Sequence, residues 1–187
     1  ILMQLFESDE ENPRSLFGCV LMALNRLPSI VSEDDGGKTY GELWPDEVVK
    51  LKEVIRQAIV LVTSDLPDHV AIEKIGGGWT GHEALAIAIY SALKYYESFE
   101  DAIVCAVNHS GDSDSTGAIC GNIMGAIHGR KSIPNYYTKD LELIDIIEEI
   151  ANDLYTGCII GEYNERVRVE ERRWCDKYCE HRLPSRK

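Results

Sequence analysis

The chain has 187 residues, 44% of them hydrophobic, and a formal net charge of −13 at pH 7. That supplies one globular domain with a sizeable core. The acidic balance disfavours an anionic membrane surface and argues against nucleic acid as a principal partner, because neutralising phosphates takes clustered Lys and Arg.

No apolar run reaches the length of a membrane span, and no signal-peptide pattern is present. Six cysteines stand at 19, 105, 120, 158, 175 and 179, mostly inside apolar helical patterns. They read as buried free thiols in a reducing, cytoplasmic setting rather than as a disulfide framework. Cys175-x-x-x-Cys179 has only His181 beyond it, which falls short of a zinc site.

In chain order, Ile1 to Phe6 is an apolar run of the kind found in an internal helix, so an upstream segment is expected to be missing. Asn12-Pro13 opens a helix as N-cap and first helical residue. Leu16, Phe17, Val20, Leu21 and Leu24 then recur at helical spacing, and Pro28 ends the run. Residues 29–43 read as a polar loop, whose Glu33-Asp34-Asp35 is better read as a solvated acidic run than as a metal ligand set. Pro45-Asp46 starts a helix with Val48, Leu51, Ile55, Ala58, Ile59 and Val62 on one face.

Gly76-Gly77-Gly78-Trp79 supports two readings. Three glycines let a backbone approach a ligand, with an indole free to stack on it; equally, they make a tight interhelical turn with a core Trp. Thr80-x-x-Glu83 has the form of a capping box, which would commit Glu83 to the backbone. The helix it opens, Ala84 to Leu93, is apolar nearly all round and should be central. Ser98-x-x-Asp101 caps another apolar helix ending near Val107.

The stretch Asn108-His109-Ser110-Gly111-Asp112-Ser113-Asp114-Ser115-Thr116-Gly117 carries the densest chemistry. Two carboxylates with the hydroxyls of Ser113, Ser115 and Thr116 close by suit Mg²⁺, Mn²⁺ or Ca²⁺ better than Zn²⁺. A helix N-cap would use only one of the acids. A calcium loop of the EF-hand kind fails, because the twelfth position from Asp112 is Ile123 rather than Glu. The letters Asp112-Ser-Asp114-Ser-Thr116 also match an aspartate-based phosphatase, whose motif belongs at the end of a buried strand. His109 reads as a satisfied structural histidine. Gly117, Gly121, Gly125 and Gly129 form a stripe down the following helix, and close packing on a neighbour should offset their cost of about 1 kcal/mol each. A last periodic helix runs from Leu141 to Leu154, with Ile144, Ile147, Ile150 and Leu154 on one face. Val167-x-Val169 is the one short strand-like pattern.

Residues 108–129, NHSGDSDSTGAICGNIMGAIHG, closely resemble the C-terminal metal-binding motif of the ADP-ribosylglycohydrolase family, of the dinitrogenase reductase-activating glycohydrolase type. IGGGWTGHEALAIAIY (75–90) and SIPNYYTKDLELIDIIEEIANDL (132–154) resemble the same family in the same order, so the resemblance covers residues 70–155. It implies an all-α, compact multi-helix bundle lacking its N-terminal helices, with residues 1–156 as the C-terminal portion of the domain. Residues 157–187 would be an extension packed on the body, anchored by Trp174 and Tyr178.

The implied activity is metal-dependent hydrolysis of the glycosidic bond joining ADP-ribose to a protein side chain or small acceptor. Two ions, Mg²⁺ or Mn²⁺, would sit between two acidic clusters. Asp112, Asp114 and Ser115 match the metal ligands, while Gly77, Gly78, Trp79 and Ser113 would border the ADP-ribose. The family's N-terminal Thr-Asp-Asp cluster does not occur in this sequence, so the catalytic acid and remaining ligands are expected from an upstream segment or a second subunit. A non-catalytic relative or fragment with a binding or structural role is the competing expectation; the phosphatase is a distant third.

Overall fold

A computed structural model describes residues 15–32 and 34–156. Glu33, the Asn12-Pro13 pair, Val167-x-Val169, the cysteines at 158, 175 and 179, and the extension 157–187 lie outside the described residues. The chain divides into two compact units, residues 1–134 and 135–187. Among the described residues every regular element is helical, and one isolated bridge joins Val31 to Thr39.

In the first unit α1 spans Leu16–Arg26, α2 Tyr40–Leu43, α3 Pro45–Val62, α4 Asp68–Ile75, α5 Gly81–Lys94, α6 Phe99–Val107 and α7 Ser113–His128. Helix α1 has Ser15 as its N-cap, whose hydroxyl accepts from the Gly18 amide at 3.1 Å. The expected loop at 29–43 contains α2, closed by a reciprocal capping box in which Thr39 accepts from the Glu42 amide and Glu42 accepts from the Thr39 amide. Asp34 and Asp35 are exposed, as a solvated acidic loop requires.

Helix α5 is the centre. Ala84 and every residue from Ala86 to Ala92 are buried, and α3, α6 and α7 all pack against it. Alternating alanines on α5 admit close neighbours, while Ile87, Ile89 and Tyr90 fill the space between them. Each such fully buried large side chain contributes about 1.5–3 kcal/mol relative to exposure. Cys19, Cys105 and Cys120 are free thiols buried in this core. Burial pushes the Cys105 thiol up to about 11 and the Cys120 thiol up to about 12, so both stay protonated.

The glycine stripe of α7 is not a uniform packing surface. A Cβ on Gly117 would lie 2.7 Å from Val107 Cγ1, so α6 and α7 do approach closely there. Gly121 makes only ordinary contact, Gly125 faces open space, and Gly129, at φ 73°, ends the helix. Contact with α6 continues at Cys120, whose thiol lies 3.6 Å from the Ala102 carbonyl, so the glycines differ in what they individually face.

In the second unit the described elements are α8, Asn135–Thr138, and α9, Ile144–Tyr155. Helix α9 starts after Leu143, which adopts a left-handed φ of 60°. Its expected buried face is largely exposed: Ile147, Ile150 and Leu154 are 48, 38 and 57% accessible. Apolar periodicity marks a face for burial without supplying what covers it.

Candidate active site

The acidic motif lies where α6 ends and α7 begins. Asn108 terminates α6, and Asp112 is the N-cap of α7, its Oδ1 accepting from the Ser115 amide at 3.5 Å. Asp114 Oδ1 accepts from the same amide at 2.7 Å. One amide thus gathers both carboxyls at the positive end of a helix. Asp112 is partly exposed and Asp114 exposed. Hydrogen bonding with Asp114, and then with the Ser115 hydroxyl, holds the Asp112 carboxyl below the usual carboxylate range. Asp112 is therefore ionised at neutral pH. The Ser113 hydroxyl is 3.5 Å from the His109 carbonyl, which it faces from the first turn of α7.

The turn itself is fixed by His109 and Thr116. The Gly111 amide donates to His109 Nδ1 at 3.1 Å, which assigns the ring proton to Nε2. His109 Nε2 lies 3.0 Å from Thr116 Oγ1, and that hydroxyl donates to the Ala106 carbonyl at 2.7 Å. Thr116 is fully buried. His109 is thus a satisfied structural histidine, as expected. Sequence reasoning placed the Thr116 hydroxyl beside the acid pair and missed its role in the turn: nothing in the string shows that the Ala106 carbonyl and the His109 ring converge on it.

The glycine loop between α4 and α5 is bound directly to this turn. The Asp112 amide donates to the Gly77 carbonyl at 2.8 Å. A Cβ on Gly111 would fall on that same carbonyl group, so only glycine fits there. Gly78, at φ 76°, is buried, and a Cβ on it would come 3.0 Å from Thr116 Cγ2 and 3.3 Å from the Asp112 carbonyl. The sequence-predicted residues Gly77, Gly78, Asp112, Ser113, Asp114 and Ser115 are thereby brought together.

Trp79 is 74% exposed, which removes the core-Trp reading of the loop. Its indole edge leans on Gly77, where a Cβ would come within 2.8 Å of Nε1. The capping box at Thr80 does not form either. Thr80 makes no cap hydrogen bond and lies 3.3 Å from His82 Nε2 instead. Glu83 turns under the loop, its carboxyl carbon 2.6 Å from the place a Gly76 Cβ would occupy.

The motif follows a helix, and no strand occurs among the described residues, so the strand-end setting of the phosphatase reading is absent there. Among the described residues, no group of three or more His, Cys, Asp and Glu side chains is arranged to hold a metal ion. Asp112, Asp114 and Ser115 therefore offer an oxygen donor set of the right chemistry for Mg²⁺ or Mn²⁺ but a partial one. Two hollows lie elsewhere. A 570 Å³ apolar groove, lined by Val20, Leu24, Ile55, Leu85 and Ile123 among others, runs further along α7. A 290 Å³ polar hollow is lined by Asp68, His69, Tyr95, Asp101, Cys105 and neighbours. No described helix is long and apolar enough to cross a membrane.

Comparisons with known proteins bear on this geometry. An uncharacterized protein of Archaeoglobus fulgidus is 36% identical over 105 residues, 56% of this chain and 33% of that protein. ADP-ribosylhydrolase ARH1 of Dictyostelium discoideum is 36% identical over 78 residues, 42% of this chain and 20% of its own length. ADP-ribosylhydrolase ARH3 of Gallus gallus is 23% identical over 105 residues, covering 51% and 29%. The chain thus spans a third or less of these relatives. No solved structure gives a significant match. The sequence model of the ADP-ribosylglycohydrolase family matches residues 9–162, and with the all-helical fold this chain belongs to that family.

Proposed function

We propose that this chain carries one half of an ADP-ribosylglycohydrolase active site. The assembled site hydrolyses the glycosidic bond between ADP-ribose and a protein side chain or small acceptor. The observation that carries the reading is the Asp112 amide to Gly77 carbonyl hydrogen bond, which makes the acid pair and the glycine loop one surface. Family membership supplies the reaction class.

Asp112 and Asp114 would hold Mg²⁺ or Mn²⁺, with the Ser115 hydroxyl beside them; two carboxyls that accept from one backbone amide stand close enough to face one cation. When bound, such an ion supplies Lewis acidity toward ribose hydroxyls and water. The chain's own residues do the rest of what this half can do. Gly77 and Gly78 bring backbone, rather than side chains, to the edge of the acid pair. Ser113 offers a hydroxyl on the first turn of α7, and the exposed Trp79 indole offers a flat apolar face to an adenine or ribose. The general acid–base group and remaining carboxylates come from an upstream segment or a second subunit, in a reducing cytoplasmic setting that keeps the core thiols free.

The test is ADP-ribose release from arginine- and serine-linked substrates, with Mg²⁺ and then with EDTA. Metal-dependent release by this chain, or by the chain joined to an upstream segment, is expected. Release that survives EDTA would overturn the reading. No release in either form would favour a binding or structural relative.

A further inference from the structure

The acid pair is not held by its own helix alone. Its approach is set one residue earlier, at Gly111, whose backbone lies on Gly77 and whose partly buried amide donates to His109 Nδ1. Without that acceptor, the amide would be a half-buried donor with no partner, and the turn would lose its reason to keep this shape. His109 meets two demands with one ring. Nδ1 takes the Gly111 amide, and Nε2–H reaches the Thr116 hydroxyl, which in turn donates to Ala106 at the end of α6. Thr116 also borders Gly78. The ring therefore ties the end of α6, the acidic turn and the glycine loop to one another, and only the Nε2–H tautomer satisfies every link.

We propose that His109 is a positioning residue for Asp112 and Asp114: through Gly111 it sets where the acid pair stands against the glycine loop, and so how well the pair holds a divalent cation. This rests on the reading of the pair as metal ligands. His109 touches neither the cation nor the substrate in this account, and its effect reaches them through Gly111 and Thr116.

The experiment uses the full chain with Mn²⁺ as the probe, comparing wild type, His109→Asn and His109→Ala. An Asn side chain accepts readily from the amide two residues on, so it restores the Gly111 link without the ring. The imidazole nitrogen shifts of wild type should report the Nε2–H tautomer, and the Nδ1–H tautomer would overturn the proposal. H109A should exchange its Gly111 amide about tenfold faster and bind Mn²⁺ about tenfold more weakly, as expected for loss of a group that orients a ligand. H109N should stay within about threefold of wild type on both readings. Wild-type values in H109A would overturn the proposal, as would a folded H109N that has lost Mn²⁺ affinity. If H109A does not fold, H109N decides alone. Should wild type bind no Mn²⁺, the metal reading falls. The tautomer and Gly111 exchange then still decide whether His109 sets the turn.

Discussion

Asp68 and Asp112 are both held below the ordinary carboxylate range, and for contrasting reasons. At Asp68, partial burial works against the charge, and hydrogen bonds from Lys94, Tyr95 and Tyr90 outweigh it. Lys94 Nζ stands 2.7 Å from Oδ1, the Tyr90 hydroxyl 2.8 Å from Oδ1, and the Tyr95 hydroxyl 2.6 Å from Oδ2. Burial, and then the Asp68 carboxylate, push the Tyr90 hydroxyl up to about 12 against the opposing influence of Lys94. At Asp112 the partners are Asp114 and Ser115, all on one edge of a solvent-facing turn. A carboxylate has about four acceptor positions. Asp68 has three donors from within the fold and is committed to joining α4 to α5. Asp112 keeps acceptor capacity open to solvent. A shifted acid therefore marks a ligand site only when part of its coordination is still free.

That contrast can be broken at either end. Asp112→Asn keeps a good N-cap but removes the charge. Metal-dependent ADP-ribose release should fall at least about a hundredfold, while the urea unfolding midpoint stays where it was. A lowered midpoint with undiminished release would reverse the two roles. Asp68→Ala should do the opposite. It strands Lys94 and two tyrosine hydroxyls, and because the ion pair is partly solvent-screened the loss of stability should be about 1–2 kcal/mol, with Mn²⁺ affinity unchanged.

Acid titration sharpens the comparison with a smaller effect. The folded value of Asp68 lies below its ordinary 3.8. Its contribution is therefore complete above that value and is lost as pH falls through the lower folded one. Urea midpoints of wild type and Asp68→Ala should converge below pH 4 and stay apart above it. A constant gap down to pH 2 would remove Asp68 ionisation from the account.

The sequence displays two Thr-x-x-Glu patterns, and they measure how far local reading goes. At Thr39 the pattern closes a capping box on a four-residue helix that periodicity alone does not reveal. At Thr80 the same letters do not, because Glu83 is drawn under Gly76 by the loop that meets the acidic turn. A capping box spans four residues and can be read from those four, unless a tertiary contact competes for one of them. Thr39→Ala should accordingly cost about 1 kcal/mol, and Thr80→Ala less than about 0.5 kcal/mol; equal losses in thermal unfolding would show that the second box forms in solution.

Other features divide along the same line. The buried α5 and the order of the helices follow from apolar patterning, and the acid pair from its letters. Gly111 against Gly77 and Thr116 beneath His109 depend on which backbone groups meet across the fold, which no local pattern encodes. The glycine stripe was legible as spacing but not as contact, since only Gly117 lies hard against its neighbour. The exposed face of α9 was legible as apolar but not as uncovered.

The hydrogen bond between Asp112 and Gly77 has a kinetic consequence. Its two ends are separated by all of α5 and α6, so it closes a long loop and can form only after those helices have docked. In refolding, helical signal should return before the acid pair is assembled. The Gly111 and Asp112 amides would be among the later ones to gain protection, making the turn a reporter of whether the core around α5 has finished folding.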